Sequence, residues 1–319
     1  MQAPCFPLQY LRLLTFLAKS RNMTKAPEIL CVGSVLWDII GRSASHMRAG
    51  SDVPGRIIRL PGGVAMNIAM ALSRFGLKPA LLSAIGQDPE GNELVAECAR
   101  RGLGTDHLYR SADLPTDRYM AIEGANGLIA AIADAHSLEA AGDKILNVLN
   151  FGPLGRPENP FDGLIALDGN LTAGLLEQIA TSPSFSKADL RVAPASPGKA
   201  ERLLPFLRSG RGTLYVNLEE AGLLCQSSFE TADQAASQLL ERGAARVLVT
   251  NGGDGCCDAT ADGLIQECPP PVLVTRVTGA GDTFMAAHIA AECDGANRKD
   301  ALSRALHAAA AYVSGEVAI

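Results

Sequence analysis

Short apolar runs that stop at glycine alternate, over most of the chain, with stretches whose apolar residues recur at helical spacing. "EILCVGSVLWDII" (28–40) is a β-branched run that reaches a turn at Gly33. "GRIIRLPGG" (55–63) is a short strand closed by Pro-Gly-Gly, and "VAMNIAMALSRFG" (64–76) has a helical pattern stopped by Gly76. "KPALLSAIGQD" (78–88) then reads as strand and loop, and "GNELVAECARRG" (91–102) as a helix. The rhythm returns in "GLIALDGNL" (163–171), "LRVAPAS" (190–196), "GTLYVNLEE" (212–220) and "ARVLVTNGGDG" (245–255). Helical patterns occupy 232–243 and 300–315. Continuous apolar strands joined by amphipathic helices need cover on both faces, so this order predicts an α/β fold built on a mostly parallel sheet.

One segment breaks the order. "TDRYMAIEGANGLIAAIADA" (116–135) reads as two extended runs about Gly124-Ala125-Asn126-Gly127. Asn-Gly between apolar runs is a hairpin signal. A hairpin here predicts a small sheet projecting as a lid, with strands within about 36–60 and 114–135. The domain proper is expected over 29–319 as a single unit. Residues 1–28 are expected outside it, with 1–22 an extension before a natural start at Met23. The apolar run within "LQYLRLLTFLAKSR" is too short to span a bilayer.

Net charge is −6, with both signs scattered and no Lys/Arg stripe of the kind that binds nucleic acid. The expected partner is a small molecule, neither nucleic acid nor membrane. The eight cysteines include no pair at zinc-type spacing. Reduced thiols in a cytoplasmic protein are therefore expected.

The chemistry concentrates in "VTGAGDTFMAAHIAAE" (277–292). Gly279-Ala280-Gly281 precede Asp282 at the mouth of a helical run. The first turn of a helix presents N–H groups without partners and the positive end of the dipole. Glycine lets a phosphate approach that backbone. The loop is thus a candidate anion hole for a transferring phosphoryl group, and Asp282 a candidate acceptor for an attacking hydroxyl's proton. The alternative reading of Asp282 is a helix cap. Gly62 and Gly63 stand before a helix with Asn67 in its first turn, suited to sugar hydroxyls. Asp38 follows the first strand, where open α/β sheets bind ligands. Asn217 and Glu220, three apart, are candidates for holding water around Mg²⁺. Thr250 and Gly252, at the next strand end, suit a nucleotide.

Taken together, these residues resemble the ribokinase-like (PfkB-type) family of carbohydrate and nucleoside kinases, over residues 28–315. The resemblance implies a three-layer ribokinase-like sandwich with a β-sheet lid, ATP as donor and Mg²⁺ as cofactor. A monovalent cation and a homodimer paired through the lids are left open by it. It makes Asp282 the catalytic base and Gly279–Gly281 the anion hole. Asp38, Gly62, Gly63 and Asn67 would bind the acceptor, and His307 would line the adenine pocket or merely pack under it. The lid looks most like that of pseudouridine kinases, in which Thr116, Tyr119 and Ala121 would face a nucleoside. "LDGNL" and "PASPGK" are similar to further segments of those enzymes, bringing in Asn170 for base or ribose, and Lys199. Ala193 departs from them by replacing an aspartate, which keeps ribose, fructose, 2-keto-3-deoxygluconate and adenosine open as acceptors. A non-catalytic sensor on the same fold is a further alternative.

Overall fold

The computed structural model describes residues 29–48 and 50–316. The extension expected over 1–28, with its start at Met23, lies outside the described residues. β1 (Ile29–Val32) buries Leu30 and Val32 on one face and Ile29 and Cys31 on the other. The chain then leaves the central sheet through β2 (Leu36–Arg42) and β3 (Arg56–Gly62) and turns at Gly63 into α1 (Val64–Arg74). Next come β4 (Ala80–Leu82), β5 (Ala84–Gly86), α2 (Pro89–Arg100) and β6 (Tyr109–Ser111). The expected hairpin is β7 (Arg118–Gly124) and β8 (Gly127–Asp134).

Past the hairpin, α3 (His136–Ala141) and α4 (Asn147–Asn150) lead to β9 (Leu164–Asp168), α5 (Ala173–Thr181) and β10 (Asp189–Ala193). α6 (Leu204–Ser209), β11 (Thr213–Asn217), α7 (Leu218–Cys225), α8 (Ala232–Glu241) and β12 (Arg246–Thr250) follow. An antiparallel pair, β13 (Cys256–Thr260) and β14 (Gly263–Glu267), precedes the last helices, α9 (Ala280–Cys293) and α10 (Arg298–Ser314).

The main sheet has eight strands in the order β14-β13-β12-β11-β10-β9-β1-β4. Pairing is parallel from β4 across to β12 and antiparallel for β13 and β14. One apolar core lies between the sheet and α3 to α8, the other between the sheet and α1, α2, α9 and α10. This is the mostly parallel sheet covered on both faces that the alternating pattern predicts, and the three-layer sandwich that the resemblance implies. The lid is a separate four-stranded sheet, β3-β2-β7-β8. Its strand pair β2 and β7 is parallel while the outer pairs are antiparallel.

Two features went unread in the sequence. The β13–β14 hairpin adds an antiparallel edge, and helices fill 136–150, 173–181, 204–209 and 218–225. "VNLEE" is not one strand end: β11 stops at Asn217, and Glu220 already belongs to α7.

Candidate active site

The site is assembled where β1, β9, β11 and β12 end and α1 and α9 begin. Gly279 is the N-cap of α9 in a left-handed conformation, φ 86°. A Cβ there would lie 2.5 Å from the Tyr312 hydroxyl, which donates to the Thr278 carbonyl at 2.8 Å. Only glycine fits that corner. The Ala280 N–H donates to the Val277 carbonyl at 3.0 Å and closes the turn, so it is not free as the anion-hole reading supposed. The N–H groups of Gly281 and Asp282 stand in the first helical turn, where the helix itself offers no i−4 acceptor. Beside Gly281 the space is open: a Cβ would meet nothing within 4 Å.

Asp282 lies in the same turn, half-buried, and its Oδ2 accepts from Asn67 Nδ2 at 3.0 Å. Burial raises its pKa to about 7, helped by the carboxylates of Asp168, Glu220 and Asp38 and opposed by the Asn67 amide. A carboxylate poised near neutrality is suited to taking a proton.

Asp168, at the end of β9, is a hub that sequence reading missed. It is fully buried and accepts from the Ser34 N–H at 2.7 Å, the Ser34 hydroxyl, and the Asn170 N–H at 2.7 Å. Asn170 Nδ2 reaches both Ser34 Oγ, at 3.0 Å, and Asp168 Oδ2, at 3.2 Å. Lys199 Nζ donates to Asn170 Oδ1. Ser34 Oγ in turn accepts from the Val64 N–H at 2.9 Å, which ties the β1 turn to the start of α1. The available signal was an aspartate closing an apolar strand just before Gly-Asn.

The lid brings Asp38 and Tyr119 together, opposite each other on β2 and β7. Burial raises the Asp38 carboxyl to about 6. Gly62 is needed beneath it, because a Cβ there would fall 2.0 Å from Asp38 Oδ2. Gly63, φ 94°, passes so close to the Ser34 carbonyl that a Cβ would sit 2.4 Å from its oxygen. Thr116 departs from the expectation that it faces a nucleoside. It is buried, and both its N–H and its hydroxyl donate to Asp88 at 2.7 Å. Asp88 caps α2, so Thr116 anchors the lid's root.

Asn217 and Glu220 form a capping box at the start of α7. Asn217 Oδ1 accepts from the Glu220 N–H at 2.8 Å, and Glu220 Oε2 from the Asn217 N–H at 2.9 Å. The box leaves Glu220 Oε1 and the Asn217 NH₂ outside it. Burial pushes Glu220 up to about 7. A buried carboxyl in that condition fits a neighbouring cation. Among the described residues no three His, Cys, Asp or Glu side chains are arranged to hold a metal directly. Thr250 ends β12 beside Asn217, and Gly252, φ 54°, is exposed with nothing within 4 Å of a Cβ. A groove of about 830 Å³ is lined by Asn217, Thr250, Gly252, Glu219 and Phe229, among others. His307 is exposed on α10, its Nδ1 2.8 Å from the Ser303 carbonyl.

The model of the pfkB family carbohydrate kinases matches residues 26–319. The chain belongs to the PfkB carbohydrate kinase family. Membership makes it a phosphotransferase acting on a sugar or nucleoside, with ATP implied as donor. Similar proteins include the pseudouridine kinase of Escherichia coli, 28% identical over 86% of each chain. Mouse ribokinase is 25% identical over 82% of this chain and 81% of its own. Arabidopsis thaliana ribokinase, solved with ribose and ATP, superposes with a TM-score of 0.72 at 23% identity, over 92% of this chain and 95% of that one. No helix among the described residues is long and apolar enough to cross a membrane.

Proposed function

We propose that this kinase transfers the γ-phosphate of ATP to the 5′-hydroxyl of pseudouridine. The observation that carries the chemistry is the pairing of Asp282 with the open first turn of α9. The base and the anion cradle share one helix terminus, so the attacking oxygen and the moving phosphate meet there. Asp282 takes the hydroxyl proton as the acceptor oxygen bonds to the γ-phosphorus and the bond to ADP breaks. The N–H groups of Gly281 and Asp282 hold the charge that moves, with Gly279 and Ala280 shaping the turn.

Asp38, Asn67 and Asn170 would hold the acceptor's hydroxyls and base, with Gly62 and Gly63 giving it room and Tyr119 closing over it. Thr250, Gly252 and His307 would take the nucleotide. Mg²⁺, held through water by Asn217 and Glu220, would supply charge neutralisation on the phosphates. What supports pseudouridine over a free sugar is the similarity to pseudouridine kinases together with the lid hairpin and the Asn170–Lys199 pair. The mouse ribokinase similarity favours ribose as the second reading.

The lid's outward face exposes Ile57, Met120, Ile122 and Ile132, and pairing of two copies through it is the assembly that accompanies this reading. The deciding experiment is ATP consumption with pseudouridine, uridine, adenosine, ribose, fructose and 2-keto-3-deoxygluconate. Pseudouridine is expected to give the highest kcat/KM. A free sugar ahead of it would overturn the acceptor, and consumption with none would overturn the kinase reading of the site.

A further inference from the structure

The helix that carries Asp282 is buried on every side from Phe284 to Ala291. Four of those eight residues, Ala286, Ala287, Ala290 and Ala291, are alanines. Alanine presents low ridges, so the axial position of α9 rests on its few larger groups: Phe284, Met285 and Ile289, which key by shape, and a polar cluster at the far end, which keys by hydrogen-bond geometry. Glu292 places Oε2 on Arg191 Nη1 and Oε1 on Arg246 Nη1 at 2.7 Å. His288, fully buried, has Nδ1 2.9 Å from the Tyr215 hydroxyl and Nε2 3.3 Å from Arg246 Nη2. These partners lie on β10, β11 and β12.

The strand side of the contact is itself braced. Arg191 forks onto Asp189 at 2.8 and 2.7 Å, and Arg246 onto Asp258 at 3.0 and 2.7 Å. Arg298, from α10, adds a bond to Asp258 at 3.1 Å. Three arginines thus face three carboxylates. Arg246 can only donate, so His288 Nε2 must accept and Nδ1–H must point at Tyr215. Burial, opposed by the Glu292 carboxylate and helped by Arg246 and Arg191, pushes His288 down to about 4, which keeps it in that neutral form.

We propose that Glu292 and His288 are positioning residues: they lock α9 axially against β10, β11 and β12, and so set the height of Asp282 against Asn67 on α1. The inference rests on Asp282 being the base of the proposed reaction, but it is tested without turnover. Ten residues of helix put Glu292 about 15 Å from Asp282. Asn67 meets Asp282 from α1 at the near end of α9 and shares no hydrogen-bond partner with Glu292, so substitutions at Asn67 and Glu292 would ordinarily act independently.

The test is a double-mutant cycle of Glu292→Gln and Asn67→Ala, read as the Asp282 carboxyl pKa by ¹³C NMR on the folded, substrate-free protein. Each single change is expected to raise that pKa by about one pH unit, as loss of a hydrogen bond to the carboxylate should. The double variant is expected to rise no further. A direct charge effect of removing Glu292 has the opposite sign, because it would lower the pKa of a distant acid. If Glu292→Gln does not fold, Tyr215→Phe, which removes one hydroxyl from the lock, completes the same cycle. An Asp282 that titrates unchanged in a folded lock variant, or shifts that simply add, would overturn the lock. The acceptor screen reports separately on the kinase reading, so either can fail alone.

Discussion

Replacing Asp282 with asparagine should make the protein more stable and nearly inactive, and the pH at which each effect appears is set by the site. The introduced side chain still offers a carbonyl oxygen to the Asn67 amide, so the local geometry survives. It cannot take a proton, and loss of a general base costs about 10²- to 10⁴-fold in kcat. The stability effect comes from the charge. Burial and three neighbouring carboxylates move Asp282 from 3.8 to about 7. The folded state therefore holds the proton more tightly than the unfolded chain does. Below about pH 4 both states are protonated and no penalty exists. It builds as pH rises and is complete above about 7, where it amounts to at most about 4 kcal/mol and, after allowance for solvent access, to roughly 2–4 kcal/mol.

Asp282→Asn removes that penalty. At about 2–4 °C per kcal/mol, Tm at pH 8 should rise by roughly 4–16 °C, and at pH 5 by less than half as much. Calorimetry at the two pH values and steady-state kinetics at pH 8 provide the check. An unchanged kcat would remove Asp282 as base. A Tm gain equal at both pH values would show that the carboxyl is not strained by its surroundings.

Two further outcomes follow from the same geometry. Gly281→Ala should leave Tm within about 2 °C, since a Cβ there would meet nothing within 4 Å, yet raise KM for ATP several-fold or more by narrowing the cradle; unchanged ATP kinetics would place the phosphate elsewhere. The acceptor's kcat/KM should fall about tenfold per pH unit below about 7, where Asp282 becomes protonated; a profile flat down to about pH 5.5 would contradict the raised pKa.

The parts of this protein legible in its sequence are those in which one residue type is forced by backbone or solvent. β1 buries both faces, so it reads as a continuous apolar run. Gly279 and Gly63 occupy corners that a Cβ would fill, so they mark the ends of the loops that matter. The lid hairpin announces itself through its turn. What stayed hidden depends on contacts between distant positions. Asp168 is a hub only because β9 ends beside the Ser34 turn, 134 residues earlier in the chain. Thr116 reads as a ligand-facing residue until Asp88, 28 residues away, captures its hydroxyl. Asn217 and Glu220 suggested a metal environment, and their spacing equally suits the capping box they form. Helices α3, α4 and α6 are short and carry little periodic pattern, and packing against the sheet, not propensity, decides them; α5, with Thr172 as its cap and Leu175, Leu176, Ile179 and Ala180 at helical spacing, did carry the signal and went unread.

The most direct trial of the central claim is a crystal structure with a non-hydrolysable ATP analogue and pseudouridine bound together. The terminal phosphate is expected within hydrogen-bond reach of the Gly281 and Asp282 N–H groups, with an acceptor hydroxyl on the Asp282 carboxylate. A terminal phosphate lying away from residues 279–282, or an acceptor with no hydroxyl near Asp282, would contradict it.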